Sequence, residues 1–183
     1  MPEKQNMSQE NNRKDKDSEN QDNEKLTIVG IGVSAGGVDA LKKFFLTITA
    51  ETGLTYVVMM HLPNEHKSML GELLQPHIQM PVSQVSDTIP IEANHVYIIP
   101  SKTNLVTIDT HLRFSKLDDK IKDRTPIDHF FRTLGRTYDG HSIGIVLTGF
   151  GSDGTLGLKE IKNNGGLTIA QDPDDAENSS MPE

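Results

Sequence analysis

Cysteine is absent from this 183-residue chain. That excludes disulfide staples, thiolate zinc sites and a cysteine nucleophile, and it fits a reducing compartment. Long apolar runs are missing too: none approaches the roughly 20 residues that a helix needs to cross a bilayer. The N-terminus also lacks the apolar core of a secretory signal. The cytoplasm is therefore the expected location. Positive charge is scarce, with 18 Lys and Arg against 26 Asp and Glu, for a formal net charge of -8. Phosphate backbones are held by clustered basic side chains, so nucleic acid is not an expected partner.

What is present divides into two parts. Residues 1–25 are Asn, Gln, Lys, Asp, Glu and Ser with almost nothing apolar. Such a segment cannot bury enough surface to offset its ordering entropy, and it reads as a disordered polar tail. Residues 26–183 read as one domain, long enough to bury a substantial core.

Within it, apolar strands alternate with amphipathic helices. Residues 26–32 and 54–60 are short, apolar and rich in β-branched side chains, as buried parallel strands are. Between them Val38, Leu41, Phe44, Phe45 and Ile48 share one helical face. Met69, Leu70, Leu73 and Leu74 predict another helix, with Asn64 as its N-cap. Residues 95–100, 104–109 and 111–115 read as short strands of a small hairpin-rich insertion. Thr125-Pro126-Ile127-Asp128 opens a helix with Thr125 as N-cap and a stripe of Ile127, Phe130, Phe131 and Leu134. A strand at 141–148, a helix with Leu158 and Ile161 ending at 163–166, and a strand at 167–170 follow. The expected fold class is α/β: a doubly wound, mostly parallel sheet with helices on both faces and a small β-hairpin insertion. Functional loops belong at the strand C-termini. Met181-Pro182-Glu183 looks like the start of a further helix, which would be missing from a truncated gene product.

Gly32-Val33-Ser34-Ala35-Gly36 fits G-x-S-x-G, in which a sharp strand-to-helix turn lifts a serine hydroxyl clear of the backbone. The serine then also sits at a helix N-terminus, where developing negative charge is favoured. Gly30, Gly32 and Gly36 equally read as a phosphate-binding loop, but that predicts an acid at the tip of the second strand. The tip is Met60-His61-Leu62-Pro63, with no acid. His61 supplies the base that a serine hydroxyl needs, or else it packs or caps a loop. His61 and His66 are not spaced for one helix face and lack a supporting carboxylate cluster, so no metal is expected. Asp153, in the glycine-rich turn 149–154, orients His61 or caps the helix that follows it. Backbone amides of residues 149–151, and of Ala35, are candidate oxyanion donors. The order Ser…His…Asp differs from the Ser…Asp…His of α/β-hydrolases, so this is another, convergent triad.

Four ordered segments, Gly30–Gly37, Met60–Pro63, Leu147–Gly154 and Met181-Pro182, resemble the catalytic domain of chemotaxis protein-glutamate methylesterases of the CheB type. The resemblance places the family's nucleophile on Ser34, its histidine base on His61 and its aspartate on Asp153. It places the oxyanion amide on Phe150, where methionine is more usual. It implies hydrolysis of glutamate γ-methyl esters on the cytoplasmic domain of chemoreceptors to glutamate and methanol, and often deamidation of receptor glutamines. No metal or organic cofactor is implied. The usual receiver domain, whose phosphorylation gates such esterases, is replaced by the polar tail. Residues 124–131 and 151–157 look more like esterase parts of fusions in which a methyltransferase domain follows. A competing reading is a catalytically weak signalling or interaction module.

Overall fold

Strand β1 (Thr27–Val33) runs through the middle of the sheet because it is apolar on both faces, with six of its seven residues buried. The computed structural model describes residues 25–60, 69–99, 104–108, 110–115 and 125–183. Residues 1–24 of the expected 1–25 tail, Asn64 and the candidate base His61 lie outside the described residues. Chain order continues through helix α1 (Gly37–Leu46), strand β2 (Leu54–Met60), helix α2 (Leu70–Leu74), strands β3 (Val82–Gln84) and β4 (Ile89–Pro90) and strand β5 (His95–Ile99). Strands β6 (Asn104–Ile108) and β7 (His111–Ser115), helix α3 (Pro126–Tyr138), strand β8 (Ser142–Val146), helix α4 (Thr155–Asn163) and strand β9 (Leu167–Ala170) complete it.

Six strands form one parallel sheet in the order β3-β5-β2-β1-β8-β9. Alternation along each strand divides the core in two. Ile28, Met59, Tyr97 and Ile99 point to the side covered by α3, α4 and the small sheet. Val29, Ile31, Val33, Val58 and Ile98 point to the side covered by α1 and α2. Helices on both faces of a parallel sheet are the doubly wound plan expected from the sequence.

Two glycines in β1 bring α3 close. A Cβ on Gly30 would lie 2.8 Å from a ring carbon of Phe131, and one on Gly32 would lie 2.6 Å from Ile127. The paired glycines thus serve helix-to-sheet packing, which accounts for them without a bound phosphate. The α3 stripe is as expected: Ile127, Phe130, Phe131 and Leu134 are buried. Truncating a buried phenylalanine of this kind to alanine costs about 3–5 kcal/mol.

One expectation needs correction. Strand β5 is not part of the insertion; it pairs in parallel with β2 and β3 inside the main sheet. Only β6 and β7 form the hairpin, joined by β4 in a three-stranded antiparallel sheet. This small sheet packs on α3 through Leu105 and Leu112, and the Thr137 hydroxyl donates to the Thr107 carbonyl at 3.0 Å. In α2 the buried pair is Leu70 and Leu74, whereas Met69 and Leu73 are 50% and 46% exposed. One turn of helix presents a single i, i+4 pair to the core, so the other pair faces out. At 179–183 the Glu183 N–H donates to the Ser179 carbonyl at 3.1 Å, which closes a single helix-like turn.

Two histidines make stability depend on pH. Burial pushes the pKa of His129 below its ordinary value, and the neighbouring Arg132 guanidinium pushes the same way. Burial also lowers His95, against an opposing pull from Glu92. Both rings are therefore held neutral by folding, so the unfolded chain binds the proton more readily. Their stabilisation is complete above about 6.5, the unperturbed value, and is lost as pH falls below it. The Tm of the wild-type chain is expected to drop between pH 7 and 5, and His129→Leu to flatten that slope. An unchanged slope in the variant would remove His129 as a cause.

Candidate active site

β8, β1 and β2 lie side by side, and their carboxyl ends come to one edge of the sheet. Val33, the last residue of β1, is in register with Met60, the last residue of β2 and the neighbour of His61. Ser34 follows β1, and the 147–154 turn follows β8. Short connections at adjacent parallel strand ends are where α/β sheets assemble sites.

Ser34 is half-buried and firmly seated. Its N–H donates to the Thr148 carbonyl at 3.0 Å, and its carbonyl accepts from the Gly37 N–H at 3.0 Å. This is the expected turn between strand and helix. Its left-handed residue is Gly36, with φ of 76°, whereas Ser34 is not among the described non-glycine residues of positive φ. The strain of the turn therefore falls on a residue without a side chain.

The 148–151 turn lies directly against the serine. A Cβ on Gly149 would be 2.7 Å from Ser34 Cβ and 2.6 Å from Met181 Sδ, so only glycine fits between them. The Gly149 N–H donates to the Asn178 carbonyl at 3.0 Å, and the Gly151 N–H donates to Ser180 Oγ at 3.3 Å. The N–H groups of Phe150 and Ala35 have no hydrogen-bond partner among the described residues. Ala35 is among the candidate donors read from the residues, and Phe150 is the one on which the family resemblance places the oxyanion amide. The Phe150 side chain is 69% exposed and takes no part in holding the turn.

The sequence reading gave Asp153 two options, orienting His61 or capping the helix that follows; His61 lies outside the described residues, and the cap is made to a different helix. Asp153 Oδ1 accepts from the Asp128 N–H at 2.9 Å and its Oδ2 from the Ile127 N–H at 3.2 Å. It thus caps α3, not the α4 helix that follows it. Thr125 stands at the N-cap position of α3 but makes no side-chain cap bond there.

Residues 171–183, unrecognised from sequence beyond Met181-Pro182, complete the site. The Thr148 hydroxyl donates to the Ala35 carbonyl at 3.0 Å and accepts from the Asn178 N–H at 2.8 Å. Gln171 Oε1 accepts from the Thr148 N–H at 2.9 Å, and the Met181 N–H donates to the Gly149 carbonyl at 3.0 Å. Met181 is buried in the α3-side core. Among the described residues, no group of three or more His, Asp or Glu side chains is placed to hold a metal ion.

The profile of the family described as CheB methylesterase matches residues 29–183. A protein of Leptospira interrogans named as a putative protein-glutamate methylesterase/protein-glutamine glutaminase is 34% identical over 154 residues, covering 83% of this chain and 79% of that protein. A protein-glutamate methylesterase/protein-glutamine glutaminase of Trichodesmium erythraeum is 30% identical over 152 residues, covering 81% of this chain and 43% of its own length. The crystal structure of the Thermotoga maritima CheB methylesterase catalytic domain superposes with a TM-score of 0.77 at 28% identity, covering 86% of this chain and 85% of that one. The chain thus spans about four fifths of one relative and under half of the other.

The Thr148 hydroxyl is the one side-chain group joining the serine turn to residues 171–183 in these bonds. The nearly isosteric Thr148→Val leaves the Ala35 carbonyl and Asn178 N–H without it. Urea unfolding is expected to report a loss of about 1–3 kcal/mol, with faster amide exchange at 178–181. Wild-type values in both measurements would show that the hydroxyl does not hold this junction.

Proposed function

This chain belongs to the CheB methylesterase family, and from that premise we propose that it hydrolyses glutamate γ-methyl esters on chemoreceptors, releasing methanol. Glutamine deamidation on the same substrates follows from the same chemistry, with ammonia as leaving group. The observation that carries the reading is the seating of Ser34 against the Thr148–Phe150 turn, with unpartnered amides at Ala35 and Phe150.

In the proposed mechanism His61 removes the Ser34 proton as the oxygen attacks the ester carbonyl carbon. Negative charge moves to the carbonyl oxygen, where the Phe150 and Ala35 amides stabilise it. Preorganised donors of this type are each worth roughly 10²–10³ in turnover. Collapse expels the methoxy group, which takes the proton from His61 and leaves as methanol. Water, deprotonated by His61, then attacks the acyl-enzyme and frees Ser34 and the glutamate carboxylate. Asp153 orients the imidazole and favours its protonated form. The oxyanion role of Phe150 uses only its main-chain N–H, so phenylalanine serves as well as methionine there. Because the substrate is the cytoplasmic part of a receptor, the cytoplasm is the expected place of action. A receptor methyltransferase, which makes the ester, is the partner enzyme that the reaction requires.

Nucleotide binding has weaker support, since Gly30 and Gly32 are occupied in packing against α3. Incubating the chain with a methylated receptor fragment and assaying methanol tests the proposal. Ser34→Ala is expected to lower release by about 10⁶-fold, the scale of nucleophile loss in other triad enzymes, with an unchanged circular dichroism spectrum. Substantial methanol from that variant would refute the assignment.

A further inference from the structure

The N-termini of α3 and α4 meet head to head, and each is capped by an aspartate from the other's neighbourhood. Asp153 accepts from the second and third amides of α3, Ile127 and Asp128. Asp128 Oδ1 accepts from the Gly154 N–H at 3.0 Å and the Gly157 N–H at 2.7 Å. Those are the cap position and third amide of α4, whose own cap residue, glycine, has no side chain to offer. The first four amides of a helix have no intrahelical partner, so the exchange satisfies two donors on each helix. Close approach is possible because Gly157 lacks a Cβ, which would lie 3.1 Å from Asp128 Cα.

Asp128 is 4% exposed. A buried carboxylate is costly unless fully hydrogen-bonded; here one bond is made to Gly154, beside Asp153, and the other to Gly157 in the first turn of α4. Asp128 therefore grips Asp153 from two directions: its N–H holds the Asp153 carboxylate, and its own carboxylate holds the next residue, Gly154. We propose that Asp128 is a positioning residue for the esterase reaction, fixing the direction of the Asp153 carboxylate. This rests on the triad reading above.

The consequence differs from that of an ordinary core contact. Substituting the Asp128 side chain leaves its N–H in place but frees the Gly154 end of the turn, so the Asp153 carboxylate loses its fixed direction. A carboxylate beside imidazolium raises the histidine pKa, so weakening that pairing moves the acid limb of the rate profile to lower pH. The decisive experiment compares wild type, Asp128→Ala, Asp128→Asn and Asp153→Asn on a methylated receptor fragment, using full-length chains with matched circular dichroism.

For Asp128→Ala, kcat is expected to fall at least tenfold with KM within about twofold. The acid limb of kcat/KM should shift in the same direction as in Asp153→Asn. Asp128→Asn, which keeps an acceptor oxygen for both amides, should recover most of kcat. The double variant Asp128→Ala/Asp153→Asn should be little worse than Asp153→Asn alone. If Asp128→Ala does not fold, Asp128→Ser, with one hydroxyl for two amides, takes its place with the same expectations. A folded variant that has lost only thermal stability, with kcat and acid limb unchanged, overturns the inference while leaving the esterase reading intact. Retained activity in Ser34→Ala instead overturns the esterase reading itself.

Discussion

Two helix ends that cannot satisfy their own amides are the constraint around which this domain is arranged. Thr125 makes no side-chain cap bond and Gly154 has no side chain, so neither helix is closed by its own cap residue. The two carboxylates at this junction answer that need, and in doing so they fix where the turn after β8 lies relative to α3. Since α3 rests on the glycine face of β1, the turn is thereby referenced to the strand that delivers Ser34. Sheet, helix and site loops form one mechanical chain, each link set by the absence of an atom as much as by its presence.

The reading of this edge as an esterase site draws on geometry of different kinds. Strand order alone puts the loops after β8, β1 and β2 together. Hydrogen bonding then distinguishes amides engaged in structure, at Gly149 and Gly151, from those open at Ala35 and Phe150. Neither fact depends on family likeness, and both agree with it.

Much of this was legible in the residues. Central strands and helices declared themselves through period and composition, because β1, β2 and α3 are buried on the faces that their sequences mark as apolar. The misreadings share a cause. Strand β3 is three residues and β4 two, too short for any periodic signal, and without β3 the parallel placement of β5 could not be seen. Asp153 invited a local interpretation as the cap of the helix after it. The amides that it actually serves are 25 and 26 residues earlier, and only the tertiary fold brings them near. The same holds for Thr148, whose hydroxyl bridges positions 113 and 30 residues away. Met181-Pro182 stood out as a motif, yet its place beside Gly149 is set by long-range contacts that spacing cannot encode.

The wrapping of residues 171–183 around the serine turn has a consequence during synthesis. Ser34 leaves the ribosome early, along with the strand that presents it, whereas Asn178 and Met181 emerge much later. Until they do, the carbonyl and amide of Gly149 have no partners to hold them, and the turn beside Ser34 is unanchored. A growing polypeptide therefore carries Ser34 beside an unanchored turn until the wrapping segment docks.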